Sequence, residues 1–110
     1  VRTYKTYRGA ELNLEAYKGK SSINYEIEVT FDDGSEYDLT IYSSIVCKVF
    51  YRKGFTEILS PTVTTSENVV VLNLTVAQTN ALQQREYYYE IYGVSVSEQE
   101  LITFGTFKVS

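Results

Sequence analysis

Polar and apolar residues alternate most regularly over residues 23–31, where every odd position is apolar and every even one polar. A period of two sends successive side chains to opposite faces of a strand, so this run predicts a strand with one buried and one wet face. Residues 11–17 alternate in the same way and predict a half-buried strand. Residues 45–51 are β-branched and aromatic with weaker alternation, which suits a strand covered on both faces. A short strand over 55–59 is stopped by Pro61, and the Thr/Ser-rich residues 62–68 read as an exposed loop. The apolar run 69–74 predicts a buried strand, and residues 87–94 and 100–109 predict the last two, joined near 95–99. Gly93 and Gly105, inside those two, predict bulges or close backbone approaches.

Turn chemistry separates these runs. Lys18-Gly19-Lys20-Ser21-Ser22 and Arg52-Lys53-Gly54 read as turns, and Asp32-Asp33-Gly34-Ser35 as a hairpin signal. Tyr37-Asp38-Leu39-Thr40 reads as a short strand or connector. Residues 1–9 show no clean period and end in a turn at Arg8-Gly9, so residues 1–10 read as a basic N-terminal arm. One helix signal stands out. In Thr75-Val76-Ala77-Gln78 the threonine can accept from an early helix N–H while the glutamine reaches back, a capping box. It predicts a two-turn helix over 76–83 with Val76, Thr79 or Ala81, and Leu82 turned inward. About seven short strands with this one helix before the penultimate strand predict an all-β antiparallel sandwich.

The chain has 110 residues, the size of one domain, and 44% hydrophobic residues, enough for one core. No apolar run is long enough for a bilayer, and Val1-Arg2-Thr3-Tyr4-Lys5 lacks the apolar core of a signal peptide. Cys47 lies alone in an apolar run, so it reads as a small buried hydrophobe, and a chain without a disulfide suits a reducing cytoplasm. Eleven tyrosines exceed what such a core needs, so several are expected on the surface, on exposed sheet faces or at contacts with other chains or sugars. Charge is uneven: residues 1–20 carry a net +3 and residues 21–110 a net −7. An acidic body argues against nucleic-acid binding. Arg2, Lys5 and Arg8 in the basic arm are expected to be solvated or to lie against the acidic face of a neighbouring copy.

Histidine is absent, which removes the commonest general base and metal ligand. With one cysteine there is no Cys/His metal spacing and no Cys–His nucleophile pair, and no phosphate-binding loop pattern occurs. Glu90 and Glu100 on adjacent strands are formally a carboxylate pair of the kind used in glycoside hydrolysis, but the wet face of a sheet explains them better. Asp32, Asp33 and Asp38 cluster at a turn without the calcium-loop spacing. Asn73-Leu74-Thr75 matches a glycosylation acceptor but falls in a strand expected to be buried. No cofactor and no metal are expected. By alternation, Tyr87, Tyr89 and Ile91 share the core face, while Tyr88, Glu90 and Tyr92 share the other. That second set fits a sandwich strand packed on both sides, a carbohydrate-stacking ladder or a protein–protein patch.

The ordered set of these segments resembles the immunoglobulin-like N-terminal domain of phage baseplate upper proteins and related tail proteins. The resemblance runs from the alternating strand 23–31 through Tyr37-Asp38-Leu39-Thr40 and the strand 45–51 to Leu72-Asn73-Leu74-Thr75. It continues through the helix at 79–82, Tyr88-Tyr89-Glu90-Ile91 and the closing Gly105-Thr106-Phe107-Lys108-Val109. It implies an immunoglobulin-like sandwich acting without catalysis as a structural or assembly protein of a phage tail or baseplate. Its partners would be other tail and baseplate proteins and further copies of itself, in a virion assembled in the bacterial cytoplasm. The family has no catalytic residues to carry over. The alternative is a carbohydrate-binding or adhesion module using the same tyrosines.

Overall fold

The computed structural model describes residues 2–18, 23–96 and 98–110; the side chains of Arg2 and Ile23 lie outside that description. Most of the turn expected at 18–22 therefore falls outside the described residues. Among those described, the elements run β1 (Arg2–Tyr7), β2 (Ala10–Glu11), β3 (Leu14–Ala16), β4 (Ile23–Thr30), β5 (Ser44–Phe50), β6 (Glu57–Leu59), β7 (Thr62–Ser66), β8 (Val69–Leu74), α1 (Val76–Ala81), β9 (Glu86–Val94) and β10 (Gln99–Val109). One sheet has the order β1-β4-β8-β7, and the other β2-β10-β9-β5-β6 with β3 also on β10.

The inner faces follow from alternation. Tyr25, Ile27 and Val29 of β4 and Val70, Leu72 and Leu74 of β8 are buried against Cys47 and Val49 of β5 and Tyr87, Tyr89 and Ile91 of β9. Each fully buried large apolar side chain contributes about 1.5–3 kcal/mol, so these rows hold the two sheets together. Cys47 is the small buried hydrophobe expected, and burial pushes its thiol pKa up, away from reactivity.

Both lateral edges of the sandwich are made by chain that crosses between sheets. β1 pairs in parallel with β4, the chain turns at Arg8-Gly9, and β2 and β3 then pair in parallel with β10. Gly9 has φ 82°, the left-handed conformation that favours glycine in such a turn. The residues expected as a basic arm thus form an edge strand. Their period is hidden because the inward positions, Tyr4 and Thr6, include a polar residue while the outward Tyr7 is aromatic. The sandwich is therefore mixed, with parallel pairs at the N-terminal edge and antiparallel pairs elsewhere.

At the opposite edge β6 and β7 make a similar crossing through Ser60 and the buried Pro61, and Ser60 Oγ donates to the Cys47 carbonyl at 3.0 Å. Residues 62–66, expected as loop, are an edge strand in which only Val63 packs toward the core. Threonine satisfies such a strand because its other face is wet. Glu67, at φ 55°, and Asn68 turn the chain, and Asn68 Nδ2 donates to the Val29 carbonyl at 3.0 Å. Asp38 caps a 3-10 helix over Leu39–Ile41, so the segment expected as a strand or connector is a helical turn.

Residues 11–17 are interrupted. Asn13 Oδ1 accepts from Thr106 N–H at 3.1 Å and the Leu12 carbonyl accepts from Tyr89 Oη, which splits the expected strand into β2 and β3. The capping box is present in both directions: Gln78 N–H donates to Thr75 Oγ1 at 3.1 Å, and Thr75 N–H to Gln78 Oε1 at 2.9 Å. Thr79 and Leu82 are buried as expected, whereas Val76 is exposed and the helix ends at Ala81, shorter than the sequence suggests. No helix among the described residues is long and apolar enough to cross a membrane.

Candidate interaction surface

β9 is the central strand of the larger sheet, and its burial alternates strictly from Tyr87 to Val94. Tyr88, Glu90 and Tyr92 therefore stand on the outer face. Register brings Phe50, Lys48 and Val46 of β5 opposite them in turn. On the other side, Thr106, Phe104 and Leu101 of β10 lie opposite the same three residues. The result is a small aromatic platform with one carboxylate at its centre. The Tyr88 ring lies 6.1 Å from Phe50 and 6.5 Å from Phe104.

Glu90 accepts from Tyr88 Oη at 3.0 Å and from Tyr92 Oη on its other oxygen. Partial burial, then the hydrogen bond to Glu90, pushes the Tyr88 phenol up to about 12, and the same two causes push Tyr92 up. Lys48, directly across from Glu90, turns its ammonium over the Tyr92 ring at 5.9 Å and toward Glu57 at 3.8 Å. These side chains are half-buried on the outer face of the sheet. The outer face of the smaller sheet is more polar, with Asn24, Glu26, Glu28, Thr62, Thr64 and Asn73, although Val69, Val71 and the exposed Tyr7 at its edge also lie there. Asn73, expected in a buried strand, is exposed there.

Glu90 and Glu100, both expected on the wet face of the sheet, do not share a face, and the carboxylate pair weighed against that reading is not formed. Glu100 stands opposite Gly93, on the inner side of the sheet, whereas Glu90 points outward. The cause is an irregularity between Leu101 and Thr103, which shifts the phase of β10. Glu100 instead accepts from Tyr42 Oη at 2.6 Å and pairs with Arg8 at 3.2 Å. Tyr42 has one hydroxyl hydrogen and gives it to Glu100, so Tyr37 Oη donates to Tyr42 Oη. Asp33 and Asp38 each accept at about 2.6–2.9 Å from a hydroxyl and a backbone N–H two residues on, which holds both carboxyl pKa values below the usual range. Among the described residues no group of three or more Asp, Glu or Cys is placed to hold a metal ion.

The N-terminal cations lie apart from the tyrosine platform. Lys5 pairs with Glu28 at 3.8 Å on the outer face of the other sheet, and Arg8 is taken up by Glu100. The Arg2 side chain lies outside the described residues; its backbone pairs with Tyr25. The two basic residues that the structure describes thus have acidic partners within the same chain. Sequence reasoning missed Phe50, Phe104 and Lys48 as members of the platform. Residues 45–51 read as covered on both faces, whereas Lys48 and Phe50 are half-buried on the outer face, and which strands flank β9 was not legible.

Two sheets with crossed edges and one short helix before the penultimate strand make this an all-β, immunoglobulin-like sandwich. No protein-family model and no curated protein sequence matches the chain. Among solved structures, it is similar to the N-terminal domain of ORF48 of phage TP901-1, with a TM-score of 0.57 and 7% sequence identity. The match covers 97% of this chain and 98% of that one. At that identity the likeness is one of fold.

Proposed function

We propose that this chain is a non-enzymatic structural or assembly module of a phage tail or baseplate, a single sandwich domain that works through protein–protein contacts. The observation that carries the reading is the match, along nearly the whole length of both chains, to the N-terminal domain of a phage protein. The outer platform of Tyr88, Glu90 and Tyr92 supplies a physical means. Aromatic residues are the enriched anchors of protein interfaces, and here they are pre-oriented. Both hydroxyls are already tied to Glu90, so docking would freeze few further rotamers. Lys48 opposite Glu90 keeps the patch close to neutral, which lowers the desolvation cost of covering it. Its partners would be other tail or baseplate proteins and further copies of the chain, within a virion assembled in the bacterial cytoplasm.

The test is light scattering after size exclusion over a concentration series, together with binding to purified phage tail and baseplate proteins. Tyr88→Ser with Tyr92→Ser should weaken association while the thermal midpoint and far-ultraviolet circular dichroism stay unchanged. A double variant that binds and associates like the wild type removes the platform from the reading. If it unfolds instead, the two rings are structural. A change in tyrosine fluorescence on titration with neutral glycans, lost in the same variant, would favour the carbohydrate-binding alternative.

A further inference from the structure

The chain is electrically polar from one end of its strands to the other. At one end meet residues 8–9, 31–43, 67–68, 95–96 and 98, joined by Arg8 N–H to Thr30 O at 3.0 Å, Val29 N–H to Asn68 O at 2.8 Å and Ser43 N–H to Val94 O at 2.8 Å. Asp32, Asp33, Glu36, Asp38, Glu67 and Glu98 are exposed there, and the nearby Arg8 is engaged by Glu100. Glu36, Asp38 and Glu67 line a concavity of about 250 Å³ with Tyr37 and Asn68.

The opposite end gathers residues 17–18, 51–56, 75–86 and 108–110, joined by Lys18 N–H to Ser110 O and Val109 N–H to Arg85 O at 2.9 and 2.8 Å. It carries Lys18, Arg52, Lys53, Arg85 and Lys108. Arg52, Lys53 and Arg85 line a groove of about 310 Å³ with Tyr51, Tyr87 and Tyr88, and Glu86 is its one carboxylate. The Arg85 guanidinium is stacked 3.8 Å from the centre of the Tyr51 ring, which holds a cation in place on an aromatic wall.

From this complementarity we propose that copies of the chain associate head to tail, the acidic loop end of one seated in the cationic, aromatic-walled groove of the next. This deepens the assembly reading by naming the partner and the contact, and rests on it. Each copy carries one surface of each sign, so the contact is heterologous: it repeats from copy to copy and closes into a ring or runs on as a stack. Like ends repel, which selects this arrangement over a two-fold pair made through either end. The chain's net acidity opposes association at long range, while the local match of charges steers it.

The experiment is a charge swap read by light scattering after size exclusion, in low and high salt. The groove variant is Arg52→Glu with Lys53→Glu, and the loop variant is Asp32→Lys, Glu36→Lys and Glu67→Lys. All five side chains are exposed and outside the capping and core contacts described above, and unchanged thermal midpoints would verify that both variants fold. The wild type should form a defined oligomer that weakens as salt rises. Each variant alone should associate about a hundredfold more weakly or worse. An equimolar mixture of the two should recover the mass, because every contact in an alternating arrangement again joins opposite charges.

A wild type that is monomeric at all concentrations in low salt overturns the proposal. So does an oligomer indifferent to both variants, or two variants that fail to rescue one another. Loss of the oligomer in the Tyr88→Ser, Tyr92→Ser variant, with the charge variants unaffected, sinks the head-to-tail contact and leaves the assembly reading standing. A monomeric wild type that binds a heparin oligosaccharide through Arg52 and Lys53 would assign the groove to a polyanion instead.

Discussion

The ring of Tyr42 lies flat on Gly93, so closely that a Cβ at position 93 would stand 2.5 Å from two of its ring atoms. That contact closes the loop end of the sandwich. The same tyrosine donates to Glu100, and Glu100 holds Arg8 at the turn between β1 and β2. One ring therefore joins the segment after the 3-10 helix, both C-terminal strands and the N-terminal edge.

Gly93→Ala should destabilise the fold by about 1–3 kcal/mol, the cost of overpacking a filled site. Urea denaturation checks this through a lower midpoint at unchanged slope. An unchanged midpoint would mean that the Tyr42 ring yields freely and does not organise this end.

Tyr89 reaches over Gly105, its cross-strand neighbour, to donate to the Leu12 carbonyl. A Cβ at 105 would overlap that carbonyl oxygen, and a φ of 158° sits at the edge of ordinary extended backbone. Tyr89→Phe should cost about 1–3 kcal/mol, because it strips a partner from a polar atom at the edge of the core. Hydrogen exchange should show the loss concentrated where β2 and β3 meet β10, and uniform weakening would contradict the tether.

Thr75→Ala removes one half of the capping box and should cost about 1 kcal/mol. Thr75→Ser should recover most of it, since the serine hydroxyl can take the same hydrogen bond. Thermal unfolding of the two variants side by side is the measurement, and equal losses would show that the methyl group, not the cap, matters.

Stability should fall in alkali before the folded tyrosines ionise. Tyr88 has an ordinary pKa of 10.0 and is raised to about 12 in the fold, while Tyr42, Tyr89 and Tyr92 are also raised. Above pH 10 the unfolded chain binds fewer protons than the folded one, so stability declines as pH rises through that window and is intact below it. Tyr88→Phe should flatten the decline between about pH 10 and 12 without changing its direction. Denaturant midpoints across that range, with tyrosinate absorbance as a second probe, measure it. A wild type equally stable at both limits would contradict the raised values.

Much of the platform was legible in the chain. The period of two in residues 87–94 placed Tyr88, Glu90 and Tyr92 on one face, and the burial of β9 follows it without exception. The capping box at Thr75 and Gln78 was legible for a similar reason, since its donors and acceptors lie within four residues. Strand 62–66 was not, because an edge strand of threonines buries too little to leave an apolar period. Nor was the inward turn of Glu100: one irregularity between Leu101 and Thr103 reverses the phase, and no local residue type announces it.

What the amino-acid sequence determined alone is whatever depends on neighbours along the chain: the existence of most strands, the inner rows from Tyr25 to Val29 and from Tyr87 to Ile91, the buried Cys47, and the helix cap. Tertiary structure decided what depends on register between distant segments. It set Phe50 and Phe104 on either side of Tyr88, turned residues 2–7 into an edge strand beside β4, and gave Lys5 and Arg8 their acidic partners. It also gathered scattered carboxylates at one end and scattered cations at the other. The physical reason is that alternation follows from backbone geometry at each residue, whereas pairing compares the whole chain's alternatives, and only the folded arrangement with the best-buried core selects among them.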